Sequence, residues 1–355
     1  MVGMRPPEGS RMRRTIATLS VATLLTVTTA APIGVAADPS TLAHLSTPGG
    51  VTVDREGNVW VASYAGTSSL LTAYEPDGEL LHEVFFGDAV SAIGEGTALA
   101  TDPDSGALVM LSDQGTIHAI DPATARIEPW LDLRSLRIDT SAVFDISSGV
   151  VSELGGLVIP SASFYGDLAI WRHDGVMDLF VSGNSVAIPF VLRVRLGDEG
   201  IVSARVLVAS LASAAPNTNE PRGVAVTPDG AVLTVLPMLG AEDIGVLDHA
   251  IAFAGDLDER AGGSPRRVLD DQPFTSWGLA AGASGRFYAA IGSSSPIWCE
   301  AVPAVVIIEP DLATTKCLPA GLDLFDTPRD VAVAPDEATT TMVMQDSGAV
   351  VTLPT

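Results

Sequence analysis

Two stretches near the start of the chain decide its fold: P-G-G-V-T-V-D-R-E-G-N-V-W-V-A-S-Y at residues 48–64 and S-L-L-T-A-Y-E-P-D-G-E-L-L-H-E-V at residues 69–84. Apolar and polar residues alternate in both, and Gly57-Asn58 and Asp77-Gly78 interrupt the alternation with turn residues. The pattern predicts four consecutive strands, at residues 50–54, 58–63, 70–75 and 79–85. A four-stranded meander of this kind leaves apolar faces that only neighbouring copies of itself can cover.

Related stretches recur along the chain. E-G-T-A-L-A-T-D begins at Glu95, G-V-A-V-T-P-D-G follows Arg222, W-G-L-A-A begins at Trp277 and R-D-V-A-V-A-P-D begins at Arg329, while residues 141–210 hold a degenerate copy. Repeats of about 40 to 50 residues with four strands each are typical of a β-propeller. We therefore predict an all-β fold, a six-bladed β-propeller, with a seventh, incomplete blade as the alternative.

The third repeat is the hardest to place. Its strands are predicted at residues 142–147, 156–162, 167–172 and 176–181, which makes residues 190–196 and 201–208 an extra hairpin. The ring is predicted to close through residues 41–46, which would lie beside residues 349–353 as the outer strand of the last blade. Pairing the two ends of the chain in one blade hides sheet edges that would otherwise aggregate.

The N-terminal segment has the pattern of an export signal. Three arginines between Arg11 and Arg14 precede an uncharged run that ends in V-A-A at Ala37. Residues 1–37 are therefore predicted to be a secretory signal peptide, and residues 38–355 a single propeller domain. An uncleaved membrane anchor is the alternative, although Pro32 interrupts the run. We expect a secreted, extracellular protein.

The composition restricts the possible partners. The chain has 43 Asp and Glu against 19 Lys and Arg, and its net charge is −24. Such an acidic protein should repel nucleic acids and anionic membrane surfaces, so we expect a small molecule or a protein as the partner, and a monomer. The two cysteines, Cys299 and Cys317, are predicted to form a disulfide bond in an exported protein.

The repeats resemble those of a known group of proteins. The openings quoted above are similar to NHL repeats, and residues 93–124 resemble the first blade of the regucalcin/gluconolactonase family. This resemblance implies a propeller with a divalent metal such as calcium at one channel mouth, held by the Glu of an E-G-P motif, two Asn and an Asp. Glu95-Gly96 matches the first motif, with Thr97 in place of proline. Arg222 and Trp277 occupy positions where the family has an Asn and an Asp.

The residues at the starts of the inner strands predict a different site. Glu95, Arg222, Trp277 and Arg329 should surround one mouth of the central channel. Arginine can hold a carboxylate or phosphate by two hydrogen bonds, and Trp277 can supply a wall for a sugar ring. The first hypothesis is therefore non-catalytic binding of a small anionic or sugar-like ligand, or of a protein partner, without a cofactor. The alternative is a metal-dependent lactonase with an altered site and Glu95 as a metal ligand. A third interpretation is that the arginines pair with carboxylates of neighbouring blades.

Other titratable residues receive structural interpretations. The five histidines are predicted to lie apart from one another, and His173-Asp174 is predicted to be a solvated turn. The aspartates that follow the inner strands are predicted to accept backbone N–H groups in tight turns. These aspartates are Asp54, Asp102, Asp229 and Asp336.

Overall fold

A computed structural model describes residues 39–65, 68–86, 98–146, 150–154, 162–164, 166–185, 188–210, 223–239, 246–254, 264–267, 276–292, 299, 303–313, 315–323 and 326–355. These residues belong to one compact unit and form an all-β propeller, with one short 3-10 helix at Leu133–Ser135 among them. The predicted signal peptide lies outside the described residues. Among the helices of the described part, none has the length and apolar character needed to cross a membrane.

The described strands are, in chain order, β1 (Ser40–His44), β2 (Pro48–Val53), β3 (Val59–Ala65), β4 (Ser68–Tyr74), β5 (Leu80–Phe86), β6 (Ala98–Thr101), β7 (Leu108–Leu111), β8 (Thr116–Asp121), β9 (Arg126–Asp132), β10 (Val143–Asp145), β11 (Val150–Ser152), β12 (Leu168–His173), β13 (Val176–Ser185), β14 (Ile188–Gly197), β15 (Gly200–Ala209), β16 (Val224–Val226), β17 (Val232–Leu239), β18 (Val246–Ala254), β19 (Ser264–Arg267), β20 (Leu279–Ala281), β21 (Phe287–Ile291), β22 (Ala304–Ile308), β23 (Thr315–Pro319), β24 (Pro328–Val333), β25 (Thr339–Met344) and β26 (Ala349–Pro354).

The strands are distributed over six sheets. Four sheets are simple antiparallel meanders: β2-β3-β4-β5, β6-β7-β8-β9, β16-β17-β18-β19 and β20-β21-β22-β23. A fifth four-stranded sheet has the order β1-β26-β25-β24, and in it β1 runs antiparallel to β26 with Thr41 opposite Val351. The N-terminal strand thus lies beside the last strand of the chain, as the sequence predicts.

The remaining sheet corrects the prediction of six four-stranded blades. It contains six strands in the order β11-β10-β15-β14-β13-β12, so five regular four-stranded blades are present. Strands β12 to β15 form a regular antiparallel meander, and β10 joins its outer edge in parallel, with Phe144 opposite Val208. The extra strands are therefore β10 and β11, and the predicted extra hairpin at residues 190–208 is part of the meander.

Apolar layers between neighbouring sheets form the core. Trp60, Leu71 and Met110 are buried between the first two sheets, and Phe164, Leu179 and Phe190 are buried between the second and third. Alternate side chains of these strands are buried against opposite neighbouring sheets, as the alternating sequence pattern predicts.

Aspartates accept backbone N–H groups in the turns after β2, β6 and β24, as predicted. The prediction is wrong for Asp229 after β16, where Thr227 accepts the N–H of Ala231 and Asp229 accepts from the Thr227 hydroxyl group. Asp54 accepts hydrogen bonds from the backbone N–H groups of Glu56 and Asn58, and its Oδ2 also accepts from Nε1 of the buried Trp60 at 2.9 Å. Asp102 accepts from the N–H of Asp104 in the same way. These contacts fix the reversal of the chain between the first two strands of the sheets that have them.

The innermost strands of the six sheets are β2, β6, β12, β16, β20 and β24. Each contacts the next one around a circle, and β24 contacts β2. The strands run in the same direction, since their starts share one set of hydrogen bonds and their ends share another. The circle therefore encloses a central channel with two different mouths.

Side chains at the ends of the inner strands tie neighbouring blades together. Arg172 donates three hydrogen bonds to the carboxylate of Asp102, and Nε1 of Trp171 donates to the carbonyl oxygen of Pro228. Burial alone would raise the pKa of Asp102, but the bonds from Arg172, Ser105 and the Asp104 backbone outweigh it and lower that pKa.

Glu337 makes a corresponding link between the sheet of β20–β23 and the sheet of β24–β26. Its carboxylate accepts hydrogen bonds from Ser284 Oγ at 2.7 Å and from the hydroxyl of Tyr288 at 2.8 Å. Replacing Glu337 by glutamine is expected to lower the free energy of unfolding by about 1 to 2 kcal/mol, because glutamine has a single acceptor oxygen. That oxygen can replace Oε2, which accepts from the two hydroxyl groups, or Oε1, which accepts from the N–H of Ser284, but not both. Urea unfolding at pH 7 measures this loss.

The matched control for this variant is Glu128→Gln. Glu128 pairs with Arg126 on the outer strand β9, and the side chains are 59% and 74% exposed. We expect that substitution to change the free energy of unfolding by less than about 0.5 kcal/mol, since exposed ion pairs contribute little. Equal effects of the two substitutions would show that Glu337 is not a link between blades.

Candidate functional site

The starts of the inner strands share one position that decides the shape of this channel mouth. The equivalent position near the start of the inner strand is a glycine in three repeats and an aspartate in two others. The glycines are Gly50, Gly223 and Gly278, and the aspartates are Asp167 and Asp330. A Cβ atom on Gly278 would lie 2.2 Å from Oδ1 of Asp330, and one on Gly223 would lie 2.5 Å from Cγ of Leu279. Gly278 thus leaves space for the Asp330 side chain, and Gly223 leaves space for Leu279.

Asp167 and Asp330 collect the backbone N–H groups that point into this mouth. Asp167 accepts from the N–H groups of Leu168 at 2.7 Å, Val224 at 3.2 Å and Leu279 at 3.1 Å. Asp330 accepts from those of Val51 and Val331, both at 2.8 Å. Two carboxylates therefore bind N–H groups of five inner strands and hold the starts of those strands together.

Burial strongly affects the protonation of both carboxyl groups. It raises the pKa of Asp167 to about 7, although three backbone N–H groups act in the opposite direction. The pKa of Asp330 is also raised well above its ordinary value, first by burial and then by the negative charge of Asp167. Hydrogen bonds from the backbone and the positive charge of Arg329 lower the pKa of Asp330 in part.

Two of the four predicted site residues meet at this mouth. The guanidinium carbon of Arg329 lies 5.1 Å from the centroid of the Trp277 ring, in a cation–π contact. Trp277 is half-buried and Arg329 is 9% exposed. The other two predicted residues, Glu95 and Arg222, lie outside the described residues.

The channel holds a cavity with a volume of ≈ 580 Å³. Asp167 and Asp330 line it at the end where the inner strands start, and Arg55, Trp171 and Arg172 line it at the opposite end. Neither Trp277 nor Arg329 lines this cavity. The cation–π pair therefore lies outside the aspartate pair, at the mouth and not within the channel.

One prediction about the histidines is wrong. His173 is the last residue of β12, its side chain is only 18% exposed, and its Nε2 lies 2.7 Å from Oδ2 of Asp178. Its ring stacks on Trp171 with centroids 3.7 Å apart, and Asp178 is also bound by Arg193 and Arg195. The turn residues Asp174 and Gly175 reverse the chain, so that β13 places Asp178 beside the histidine. His173 and Asp178 are five positions apart on the two sides of a hairpin turn. This spacing is the sequence signal that could have indicated the pair.

The two cysteines are joined as predicted. The Cys299–Cys317 disulfide has its Cα atoms 5.8 Å apart and links the loop before β22 to the outer strand β23.

The described residues at this mouth offer few ligands for the metal ion that the family resemblance implies. A calcium ion requires several oxygen ligands, the side chains of Trp277 and Arg329 offer none, and the carboxylates of Asp167 and Asp330 accept backbone N–H groups. Among the residues that the structure describes, no group of three or more His, Cys, Asp or Glu could hold a metal ion. Because Glu95 lies outside the described residues, its predicted role as a ligand stays a prediction.

The fold and the ring of inner strands define the class of protein, a β-propeller. No protein-family profile matches the chain, and no curated protein sequence matches it. A solved structure with the same fold is the Penicillium chrysogenum α-L-arabinanase in complex with arabinobiose, with a TM-score of 0.56 at 10% identity over 88% of this chain and 98% of that one.

Two further solved structures have TM-scores of 0.49. One is a candidate gluconolactonase, 14% identical over 89% of this chain and 91% of that chain. The other is the holo form of the PQQ domain of pyranose dehydrogenase from Coprinopsis cinerea, 12% identical over 89% and 95% of the two chains. At these identities the likeness concerns the fold alone.

Proposed function

We propose that the protein is a secreted six-bladed β-propeller in which β12–β15 form the third blade and β1 closes the ring. The circle of contacts among the six innermost strands and the pairing of β1 with β26 support this architecture. Strands β10 and β11 are then an addition to the outer edge of the third blade. The Cys299–Cys317 disulfide is compatible with an oxidising, extracellular location.

The function we propose is non-catalytic binding of a small sugar-like acid where the inner strands start. The observation that carries this proposal is the position of the Arg329 guanidinium over the indole of Trp277. A planar guanidinium binds a carboxylate through two hydrogen bonds, and an indole face packs against the apolar face of a sugar ring. The small exposed fraction of Arg329 limits this contact to a small group such as a carboxylate.

The two remaining predicted residues complete the proposed site. Arg222 precedes Gly223 as Arg329 precedes Asp330, so we expect it to place a second cation at the same mouth. Glu95 is expected to accept a hydrogen bond from a ligand hydroxyl group. A site with two cations, one carboxylate and an aromatic wall would favour a sugar acid over a neutral sugar or a simple inorganic anion.

Titration calorimetry with galacturonate, glucuronate and gluconate, and with galactose as the neutral comparison, tests this proposal. We expect saturable binding of at least one acid, and a loss of affinity of about tenfold or more in Arg329→Gln, because a hydrogen bond to a charged group contributes about 1.5 to 3 kcal/mol. Trp277→Leu should weaken the same ligand. Arg126→Gln, on the outer strand β9, is the control and should bind as the unaltered protein does.

Other results of this calorimetry experiment, or of a lactonase assay, would contradict the proposed function. Absence of saturable binding by any sugar acid, or unchanged affinity in Arg329→Gln with an unchanged melting temperature, would contradict the proposed function. Hydrolysis of a sugar lactone that is lost with EDTA and in Glu95→Gln would instead establish the metal-dependent lactonase.

A further inference from the structure

The cavity in the channel opens where the inner strands end. At that end it is lined by exposed residues from five of the six sheets, namely Arg55, Pro103, Pro228, Ala283 and Pro335. At its other end it is lined by Asp167 and Asp330, which are 5% exposed. Its volume of ≈ 580 Å³ is sufficient for a small molecule. A molecule in this cavity would therefore enter from the side of the ring opposite Arg329.

Backbone groups of the inner strands form the wall of this cavity. An edge strand bonds to its neighbour with alternate residues, and the residues between them point both N–H and C=O away from that neighbour. At the start of β12, the carbonyl oxygen of Asp167 accepts from Ser182 of β13, whereas the N–H of Leu168 points inward to the Asp167 carboxylate. The inward-pointing residues of five strands at this level are Val51, Leu168, Val224, Leu279 and Val331.

The same alternation continues two residues further along each strand. In β2, for example, the N–H of Asp54 bonds to the carbonyl oxygen of Asn58, so the preceding residue points inward. The inward-pointing residues at this second level, all of which line the cavity, are Val53, Ile170, Val226, Ala281 and Val333.

This wall is richer in hydrogen-bond acceptors than in donors. The carboxylates of Asp167 and Asp330 bind the N–H groups of the first level. The five described strands therefore present two rings of carbonyl oxygens to the cavity but one ring of N–H groups. A single carbonyl oxygen of the second ring, that of Val53, accepts from the Thr101 hydroxyl group. The inner part of the cavity thus favours a ligand group that donates hydrogen bonds.

A primary ammonium group fits this environment better than the other common ligand groups. It has three donors and no acceptor, whereas a carboxylate has acceptors only. A carboxylate here would face carbonyl oxygens and lie close to the carboxyl groups of Asp167 and Asp330, which is unfavourable. The inner part of the cavity therefore selects a cation.

The open end of the cavity has the opposite preference. Arg55 and Arg172 line it together with Trp171. Arg172 binds Asp102 through Nε and Nη2, and Arg55 binds backbone carbonyl oxygens through Nη2. A guanidinium group has five N–H donors, so these contacts leave donors of both arginines for a ligand carboxylate.

We infer that the channel binds an ω-amino acid, a linear aliphatic molecule with a primary ammonium group at one end and a carboxylate at the other. The ammonium group lies within the rings of carbonyl oxygens, and the carboxylate contacts Arg55 and Arg172. The path along β12 from Leu168 to Arg172 is about 13 Å long at about 3.3 Å per residue, which accommodates a chain such as that of 6-aminohexanoate. This site is separate from the one proposed at Arg329 and does not depend on it.

Titration calorimetry with 6-aminohexanoate tests the inference, with hexylamine and hexanoate as comparisons that each keep one charged end. We expect saturable binding of 6-aminohexanoate, about tenfold weaker binding of hexylamine, and no binding of hexanoate in the channel. Arg55→Gln should weaken 6-aminohexanoate about tenfold and leave hexylamine unchanged, because hexylamine has no carboxylate. A merely structural role of Arg55 would weaken both amines equally.

A variant that narrows the entrance provides a second test. Ala283 is exposed at the open end, so Ala283→Trp should obstruct the cavity without disturbing the core. We expect it to weaken both amines by about tenfold or more. Ala123→Trp is the matched control, since Ala123 is exposed in the turn between β8 and β9 and does not line the cavity. The control should bind as the unaltered protein does.

Three results would overturn this inference. They are the absence of saturable binding by either amine, an unchanged affinity in Ala283→Trp at an unchanged melting temperature, and binding of hexanoate as tight as that of hexylamine in Arg329→Gln as well as in the unaltered protein. Arg329→Gln should leave the binding of 6-aminohexanoate unchanged, and Ala283→Trp should leave the binding of sugar acids unchanged. The failure of one proposal is therefore distinguishable from the failure of the other.

Discussion

A chain truncated after Ser347 is expected to lose cooperative unfolding. The truncation removes β26, whose residues Val350, Val351 and Leu353 are buried, and which pairs with β25 on one side and β1 on the other. Its loss leaves β1 without a partner strand and exposes the edge of β25. Because each blade covers its apolar faces only against its neighbours, an opened ring should lose stability in all blades and not only in the last.

Thermal unfolding followed by circular dichroism measures this effect. We expect a sharp transition in the unaltered protein and a broad, non-cooperative one in the truncated chain. A synthetic peptide of residues 348–355 should restore the sharp transition when added in excess, since it supplies the missing central strand of the sheet. A truncated chain that melts sharply at the same temperature would contradict the closed ring.

Replacing Gly278 by alanine is expected to lower the free energy of unfolding by about 3 kcal/mol or more. The new Cβ atom would lie 2.2 Å from Oδ1 and 2.5 Å from Cα of Asp330, and 2.9 Å from the backbone nitrogen of Val331. Two of these are backbone atoms of β24, so no side-chain rotation relieves the overlap. The strain should separate β20 from β24 and disturb the hydrogen bonds that Asp330 accepts.

Gly197→Ala is the matched control for this variant. Its Cβ atom would approach only Cγ2 of Val202, at 3.1 Å, and the side chain of Val202 is exposed and can move. We expect a change of less than about 1 kcal/mol for the control. Urea unfolding measures the free energy of unfolding of the two variants. A Gly278→Ala protein as stable as the control would show that the inner strands are less closely packed than the structure indicates.

The regular blades could be predicted from the sequence because their signals are local. Gly57-Asn58 and Asp77-Gly78 separate strands of alternating apolar residues, and the predicted strands at residues 58–63 and 70–75 correspond to β3 and β4. The third blade could not be placed in this way. Asp167 replaces the glycine that opens other repeats, β13, β14 and β15 are each ten residues long, and the parallel pairing of β10 with β15 leaves no pattern in either strand.

The candidate site was predictable in part. The contact of Trp277 with Arg329 follows from their equal positions in neighbouring repeats. The aspartate pair was missed, because a single acidic residue at the start of a strand resembles an ordinary turn residue. Only the ring places Asp167 within hydrogen-bonding distance of Leu279, 112 positions away in the chain. Aligning the repeats would have shown Asp330 at a glycine position, which is the one local signal of its role.

The most direct test of the central claim is a crystal structure of the protein soaked with galacturonate near pH 6. We expect difference density for one molecule at the starts of the inner strands, with its carboxylate within hydrogen-bonding distance of the Arg329 guanidinium and its ring against Trp277. Density only at the opposite channel mouth beside Arg55, or no density at Arg329 at saturating concentration, would contradict it.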